Sequence, residues 1–574
     1  MEFVQTIIFV SLMVVVVTTV EKNEFITIDT PSGGIKGIKG IFEQTGTTLY
    51  EFRGIPYAKP PLGQLRFKKP EPVEKWSEVL DATFFGSVCP QIIPPFISTE
   101  HIEVSEDCLV LNVYVPDTLV RNEQLSVMIW IHGGGFVFGY GHAYDGSLLA
   151  AKGNVIVVTI NYRLGILGFL SLDHPASLGN YGLWDQKLAL QWVHENIAAF
   201  GGNPNSVTIF GESAGGMSVS IQSLIPSNKG LFQRVIAQSG VASQLIPSKQ
   251  KPKMKLAKTL ATRSSCQTVD WFKFVDCLRG KTVDELLQAT DEFKNIPKDK
   301  MLMEGISQPV IDGDLLPDHP LRRLQDPSTE EAKFFGSLDF MTGTTSNEGS
   351  ILYLMITSGF QEYYSFNVSE GIPAKFLHNG LIKPFVETYI RTNFPIIDKI
   401  SKFYESDGSL SDQGHKATQF MADYLFNYPT IQMLRYHSMY GGNTYQYQFS
   451  MASPAPFGPP PPSWFNGTGH ADELLFLFNK IDGMNPENKA FSNEHQELSA
   501  IMINYWTSFA NTGIPNGGKD SIAWRKFDTT DRTYIDFDVP LTLNKNMKPE
   551  TAKLWSEIFS YVPMDDNTSD HDEL

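Results

Sequence analysis

Gly211-Glu212-Ser213-Ala214-Gly215 stands between two stretches of different character. Before it, Ser206-Val207-Thr208-Ile209-Phe210 reads as a strand. After it, Gly216-Met217-Ser218-Val219-Ser220-Ile221 is small and apolar and can begin a helix. A Gly-x-Ser-x-Gly at a strand-to-helix junction predicts a nucleophile elbow. So tight a turn requires small flanking positions, because a side chain there would collide with the adjoining strand or helix. It would lift the Ser213 hydroxyl off the sheet and point the new helix's N-terminus at it. That terminus offers unpaired N–H groups and partial positive charge where an oxyanion would form.

Working outward, residues 183–200 carry Leu188, Leu190, Trp192, Val193 and Ile197 at helical spacing, and Gly201-Gly202-Asn203-Pro204 stops them. Val127-Met128-Ile129-Trp130-Ile131 and Val155-Ile156-Val157-Val158-Thr159-Ile160 are continuous apolar runs. Such runs suit strands buried on both faces of a parallel sheet. Residues 234–240 and 340–344 continue the alternation of strand and helix, which predicts a doubly wound α/β sheet. Residues 24–55 read instead as short antiparallel strands turning on glycines, ended by Pro56, Pro60 and Pro61, and residues 109–115 form a further strand. Residues 255–335 and 370–440 are helical and irregular. No flexible linker bounds them, so they read as insertions over one sheet. The only Pro-rich tract, residues 454–462, is short, and there is no internal repeat.

The 574 residues are 42% hydrophobic and 19% charged, which suits a globular chain. The net charge of −17 makes nucleic acid and anionic membrane surfaces poor partners.

A serine hydroxyl is a weak nucleophile near neutral pH and needs a base, which in turn needs an orienting acid. On this fold the chain order is nucleophile, acid, histidine. The histidines after Ser213 are His319, His378, His415, His437, His470, His495 and His571. His470 differs from the others. Its loop, Gly467-Thr468-Gly469-His470-Ala471-Asp472, directly precedes the apolar Leu474-Leu475-Phe476-Leu477-Phe478 and can hold an imidazole against the core. The acid should follow a strand between the two. Residues 340–345 read as that strand and Ser346-Asn347-Glu348-Gly349 as the turn after it, which selects Glu348 over Asp339 at the opposite end. His132-Gly133-Gly134-Gly135-Phe136 follows the strand at 127–131 and is the glycine loop associated with esterases and lipases. Its backbone can approach a substrate without a Cβ in the way. Gly134, Gly135 and Ala214 are the expected oxyanion donors. This chemistry calls on no cofactor and no metal.

Further stretches extend the pattern: Phe52-Arg53-Gly54-Ile55-Pro56-Tyr57-Ala58, Ser105-Glu106-Asp107-Cys108-Leu109-Val110-Leu111-Asn112, Asn180-Tyr181-Gly182-Leu183-Trp184-Asp185-Gln186 and Phe200-Gly201-Gly202-Asn203-Pro204. With the glycine loop and the elbow, they make the chain resemble the type B carboxylesterases, the carboxylesterase and cholinesterase family of the α/β-hydrolases. The resemblance implies a single α/β-hydrolase domain over residues 21–570, with a large, mostly parallel sheet flanked by helices and helical insertions over the site. It implies hydrolysis of carboxylic esters by a triad of Ser213, Glu348 and His470, with Glu212 lining the site. It also implies structural ion pairs Arg53–Glu106 and Arg163–Asp185. Cholinesterases carry a Trp between their first two cysteines, against which a quaternary nitrogen packs. Residues 90–107 contain none, so a general esterase of broad specificity is expected before a choline esterase. Non-catalytic adhesion proteins of the family typically lose the serine and gain a membrane span, whereas this chain keeps Ser213 and has no later span.

Ile7-Ile8-Phe9-Val10-Ser11-Leu12-Met13-Val14-Val15-Val16-Val17 has the length of a signal-peptide core, so residues 1–20 are expected to be removed and no transmembrane anchor is expected. His571-Asp572-Glu573-Leu574 reads as a retention signal for the lumen of the endoplasmic reticulum, recognised by a retrieval receptor. Four cysteines fit that compartment and allow three connectivities. Pairing neighbours, Cys89 with Cys108 and Cys266 with Cys277, closes two small loops and is preferred; the resemblance implies the same pairing. Asn367, Asn466 and Asn567 head glycosylation sequons.

Overall fold

The computed structural model describes residues 24–561 apart from 95–96, 98–101, 118–123, 245–256, 258–259, 267–269, 291–307, 358–365, 390–394, 479, 483, 485–489 and 519–520. The signal-peptide segment 1–20, the sequon at Asn567 and the tail 571–574 lie outside the described residues.

Among the described residues thirteen strands form one sheet. One end is antiparallel: β1 (Glu24–Thr30), β2 (Gly33–Phe42), β3 (Thr47–Pro56) and β5 (Val110–Pro116); the short β4 (Leu80–Asp81) lies parallel beside β2. Then follow β7 (Ile156–Ile160), β6 (Leu125–Ile131), β8 (Gly202–Glu212), β9 (Arg234–Gln238), β10 (Asp339–Thr345), β11 (Thr444–Phe449) and β12 (Thr533–Phe537). From β7 to β12 every pairing is parallel; β5 meets β7 antiparallel, and β13 (Thr542–Lys545) closes the far edge antiparallel. This is the doubly wound α/β sheet that the alternation of strands and helices predicts, in the α/β-hydrolase arrangement that the resemblance implies.

The apolar runs are continuous because both faces of the central strands are covered. Strand side chains alternate between faces. Val127, Ile129 and Ile131 join one apolar cluster with Trp192, Val193 and Val219. Met128 and Trp130 join another with Phe478, Leu498 and Trp506. Trp130 meets Phe210 and Phe478 edge-on, with centroids 4.9 and 4.8 Å away. The helix Ser147–Gly153, between β6 and β7, packs into the second cluster. The helix Tyr181–Asn196, between β7 and β8, packs into the first. The chain therefore changes sides at β6, and the strand ends at such a switch point are the usual ligand position of these sheets.

Tyr181–Asn196 tightens into a 3-10 turn, Ile197–Phe200, and stops at Gly201, whose φ of +79° suits glycine. The 370–440 insertion builds its own apolar cluster, in which Phe385, Phe420 and Tyr424 surround Trp555 of the helix Pro549–Phe559. The helices Leu410–Ala422 and Tyr428–Met439 run on through a π-helical turn, Asp423–Asn427. No helix among the described residues is long and apolar enough to cross a membrane.

Both neighbour disulfides form, Cys89–Cys108 and Cys266–Cys277. The Arg163–Asp185 pair also forms: Nε and Nη2 donate to the two carboxylate oxygens at 2.8 and 2.7 Å, with both side chains buried. The Arg53–Glu106 pair does not. Arg53 lies on β3, where a residue two positions back shares its face, and its Nη2 donates to Glu51 at 2.6 Å. Glu106 is held instead by Arg66, which donates from Nε and Nη2 at 2.8 and 2.5 Å. Arg66 Nη1 also binds the carbonyls of Leu278, Arg279 and Lys281, where the second disulfide-closed segment abuts.

Candidate active site

Ser213 joins the end of β8 to the helix Ala214–Gln222 and sits at φ +55°, ψ −121°. That backbone is costly for a residue with a Cβ and persists only when its surroundings impose it. Here they do. Ser213 N donates to Gln238 O at 2.9 Å, and Met217 N donates to Ser213 O at 2.8 Å. A Cβ at Gly211 would lie 2.5 Å from Ile131 O, and one at Gly215 would lie 2.0 Å from the same atom. The requirement for small residues extends to Gly240, where a Cβ would lie 2.0 Å from Ser213 O. Sequence reading passes over Gly240, because its need arises from a contact across the sheet and not from its own neighbours.

β10 ends at Thr345, and the following turn buries Glu348 completely. Glu348 Oε1 accepts from Thr345 N at 2.7 Å and from Ser239 Oγ at 2.5 Å. Its Oε2 lies 2.6 Å from His470 Nδ1. An ionised carboxylate only accepts, so Nδ1 carries the proton and Nε2 is left as the basic nitrogen. His470 is fixed further by its own N–H, which donates to Ser350 Oγ at 2.7 Å, and by the Phe426 ring 4.8 Å from the imidazole. Nε2 faces Glu212 Oε1 at 3.1 Å, without the angle of a hydrogen bond. Glu348 and His470 are thus brought together, and their free nitrogen points at the residue preceding Ser213. No hydrogen bond joins Ser213 Oγ to Nε2; catalytic hydrogen bonds are commonly long before substrate binds.

Four buried carboxyls, Glu212, Glu348, Asp472 and Glu473, surround this imidazole. Burial works against a charge on His470, but Glu212 and Glu348 more than offset it and push its pKa up to about 9. Burial raises Glu212, and the nearby His470 charge opposes that rise. Glu212 and His470 thus each favour the charged form of the other. Burial also raises Glu473, whose Oε1 accepts from Gln238 Nε2 at 3.0 Å. Gln238 Oε1 in turn accepts from Trp506 Nε1 at 3.1 Å. Glu473 and Gln238 carry no motif, and their roles come into view only in the folded chain.

The glycine loop lies against the elbow: a Cβ at Gly133 would be 2.7 Å from Glu212 O and 3.2 Å from Ser213 Cβ. Gly134 and Gly135 have φ of +94° and +61°. Val137 N and Phe138 N both donate to Gly134 O, whereas the N–H groups of Gly134 and Gly135 make no hydrogen bond among the described residues. Ala214 N opens a helix and has no acceptor within it. His132 is neutral, its pKa pushed down to about 4 by burial, and it stacks on Tyr162 at 4.4 Å. Tyr162 donates its hydroxyl to His132 O at 2.9 Å.

Of the other candidates, His571 lies outside the described residues, His437 is buried between Thr444 Oγ1 and Leu338 O, His319 and His495 sit at helix N-termini, His378 Nδ1 lies 2.9 Å from Ser401 Oγ, and His415 packs edge-on to Trp464. Asn367 and Asn466 are both exposed.

A strained serine turn, a buried carboxylate–imidazole pair and a glycine loop on one end of this sheet fit an esterase of the α/β-hydrolase class, and the chain belongs to the carboxylesterase family, whose model matches residues 24–555. It is a carboxylic ester hydrolase. Among its relatives, carboxylesterase 1D of Rattus norvegicus is 36% identical over 92% of this chain and 93% of that protein. The liver carboxylesterase of Sus scrofa is 36% identical over 93% of each. A solved structure of a PNB esterase superposes with a TM-score of 0.74 at 33% identity, covering 92% of this chain and 99% of that one.

Proposed function

We propose that Ser213 is the nucleophile of a two-step esterase that works through an acyl-enzyme. His470 Nε2 takes the Ser213 proton as Oγ bonds to the ester carbonyl carbon. Glu348 stabilises the imidazolium through Nδ1–H. The Gly134, Gly135 and Ala214 N–H groups receive the carbonyl oxygen as it becomes negative, a contribution of about 3–4 kcal/mol for a single well-placed donor. The tetrahedral intermediate collapses, and the alcohol leaves with the proton that His470 returns. Water, deprotonated by the same nitrogen, then attacks the acyl-enzyme and releases the acid. Glu212 lines the site beside the nucleophile. The observation that carries this reading is the buried 2.6 Å contact between Glu348 and His470, next to a serine held at φ +55°.

The substrate reading is a general carboxylesterase of broad specificity. It is supported by relatives named as liver carboxylesterase and para-nitrobenzyl esterase, and by the absence of Trp from residues 90–107. The catalytic unit is taken as one domain over residues 21–570. The apolar run 7–17 and the tail His571-Asp572-Glu573-Leu574 support a luminal location, with glycans at Asn367, Asn466 and Asn567.

A fluorophosphonate probe tests the core of the proposal. The wild type should be labelled and Ser213→Ala should not; equal labelling of both proteins would overturn it. A series of aryl esters of rising acyl length, run beside choline esters, tests the specificity. Choline esters outpacing simple aryl esters would reverse the preference for a general esterase.

A further inference from the structure

We propose that Gln91 is a positioning residue for the oxyanion loop, anchoring that loop to the Cys89–Cys108 disulfide. This rests on the reading of Gly134 and Gly135 as oxyanion donors.

The Gln91 side chain is buried, and among the described residues each of its hydrogen bonds is to backbone. Its Nε2 donates to Cys89 O at 2.9 Å and to Gly139 O at 3.0 Å, and its Oε1 accepts from Gly139 N at 2.8 Å. Only one orientation of the amide satisfies these partners, since carbonyls accept and N–H groups donate. Gly139 is therefore gripped on both its polar groups by a residue 48 positions away in sequence. That residue is two positions from a disulfide whose other end, Cys108, directly precedes the strand region at β5.

Gly139 in turn closes the glycine loop. At φ +119° it packs so tightly that a Cβ would lie 2.4 Å from His132 Nδ1 and 2.9 Å from Gly133 O. His132 and Gly133 immediately precede the two expected donors. A second tie meets the same framework: Asn161 Nδ2 donates to Cys108 O at 3.1 Å, and Asn161 Oδ1 accepts from Gly141 N at 2.7 Å. The disulfide thus bears on both sides of the segment that closes the loop, through Gln91 at Gly139 and through Asn161 at Gly141. Between Gly134 and Gly139 the loop's own hydrogen bonds are those of Val137 N and Phe138 N to Gly134 O. Those bonds fix the turn's shape; Gly165 N, donating to Phe136 O at 2.8 Å, ties its crest, and the clasp at Gly139 ties its far end.

Oxyanion stabilisation depends on donors placed to within a few tenths of an ångström of the developing charge. Loosening the clasp should therefore lower kcat and leave ground-state binding alone. Gln91→Met keeps the length and removes the amide. Gln91→Glu keeps the shape, cannot donate when ionised, and regains one donor when protonated. Each is assayed on an aryl ester, with rates normalised to active sites counted by stoichiometric fluorophosphonate labelling. Each is also titrated with an aryl trifluoromethyl ketone, whose hemiketal oxygen occupies the oxyanion position. Gln91→Met is expected to lose about 10-fold in kcat with KM within about two-fold, and the ketone's affinity should weaken in step with kcat/KM. Gln91→Glu should show the same loss, shrinking relative to wild type as pH falls.

Unchanged kcat and ketone affinity per active site would overturn the proposal. So would a loss that tracks only the fraction of folded protein, or a rise in KM alone. Ser213→Ala separates this from failure of the underlying reading: if Ser213→Ala stays active, the site assignment itself is wrong. If it is inactive while both Gln91 variants behave as wild type, only the role of Gln91 fails.

Discussion

Glu348 meets His470 across 2.6 Å although 122 positions separate them in the chain. The carboxylate is fully buried, and its other oxygen is saturated by Thr345 N and Ser239 Oγ. Nothing in this arrangement lets the acid turn away from the imidazole, so its role can be tested by charge alone. Glu348→Gln keeps the volume but can present its NH2 to Nδ1 and reverse the tautomer. We expect kcat to fall by roughly 10³–10⁴-fold with KM little changed, measured on an aryl ester with active-site counting.

The raised pKa of His470 carries a pH dependence with a definite sign. Its folded value is about 9, against roughly 6.5 for an unperturbed histidine. The native state therefore holds a proton that the unfolded chain releases. The resulting stabilisation is fully present below about pH 6.5 and is lost as pH rises through about 9. The thermal midpoint should drop across that window, and it should drop less in His470→Asn.

In the proposed mechanism the same group must be neutral to act as a base, so kcat/KM should rise with pH over the acid limb. Glu212 is the strongest of the charges that raise His470. Glu212→Gln should move the limb toward lower pH by roughly one unit or more. A limb that stays in place would show that Glu212 is uncharged when the base works.

Gly240 lies outside the Gly-x-Ser-x-Gly motif, yet its missing Cβ makes room for Ser213 O. Gly240→Ala should displace the elbow. We expect a loss of at least about 10²-fold in activity per folded molecule, since misplacing a reacting group by an ångström has that effect. Gly230→Ala is the control, because a Cβ there meets nothing within 4 Å; at φ +95° it strains the backbone but leaves the elbow untouched.

The Arg163–Asp185 pair is buried on both sides, and Asp185 also accepts from Arg163 N at 3.0 Å. Asp185→Asn leaves a buried guanidinium without its counter-charge and should destabilise the fold by about 3–5 kcal/mol in denaturant unfolding. Removing Cys266–Cys277, which encloses a short segment beside Phe274 and Leu278, should cost about 2–4 kcal/mol and leave kcat per active site unchanged.

The sequence by itself determined whatever depends on local chemistry. The apolar runs at 127–131 and 155–160 require burial on both faces, so they read directly as central strands. Gly211 and Gly215 are demanded by the tightness of the elbow they flank. Glu348 and His470 were singled out because each stands on a loop beside a core element, in the chain order the expected chemistry imposes, and the fold sets them 2.6 Å apart. Other features were decided by tertiary structure, because they arise between segments with no local signature. Arg53 turns to Glu51 on its own strand, while Glu106 is claimed by Arg66, and no spacing distinguishes the two arginines. Gly240 is needed by an oxygen of another strand's end. Gln238 reaches Glu473 across 235 positions, and Gln91 reaches Gly139 across 48. Residue type and neighbours fix what a side chain can do. Which groups it meets, and hence its charge state and its effect on Ser213, is set only when the sheet brings distant segments within hydrogen-bonding reach.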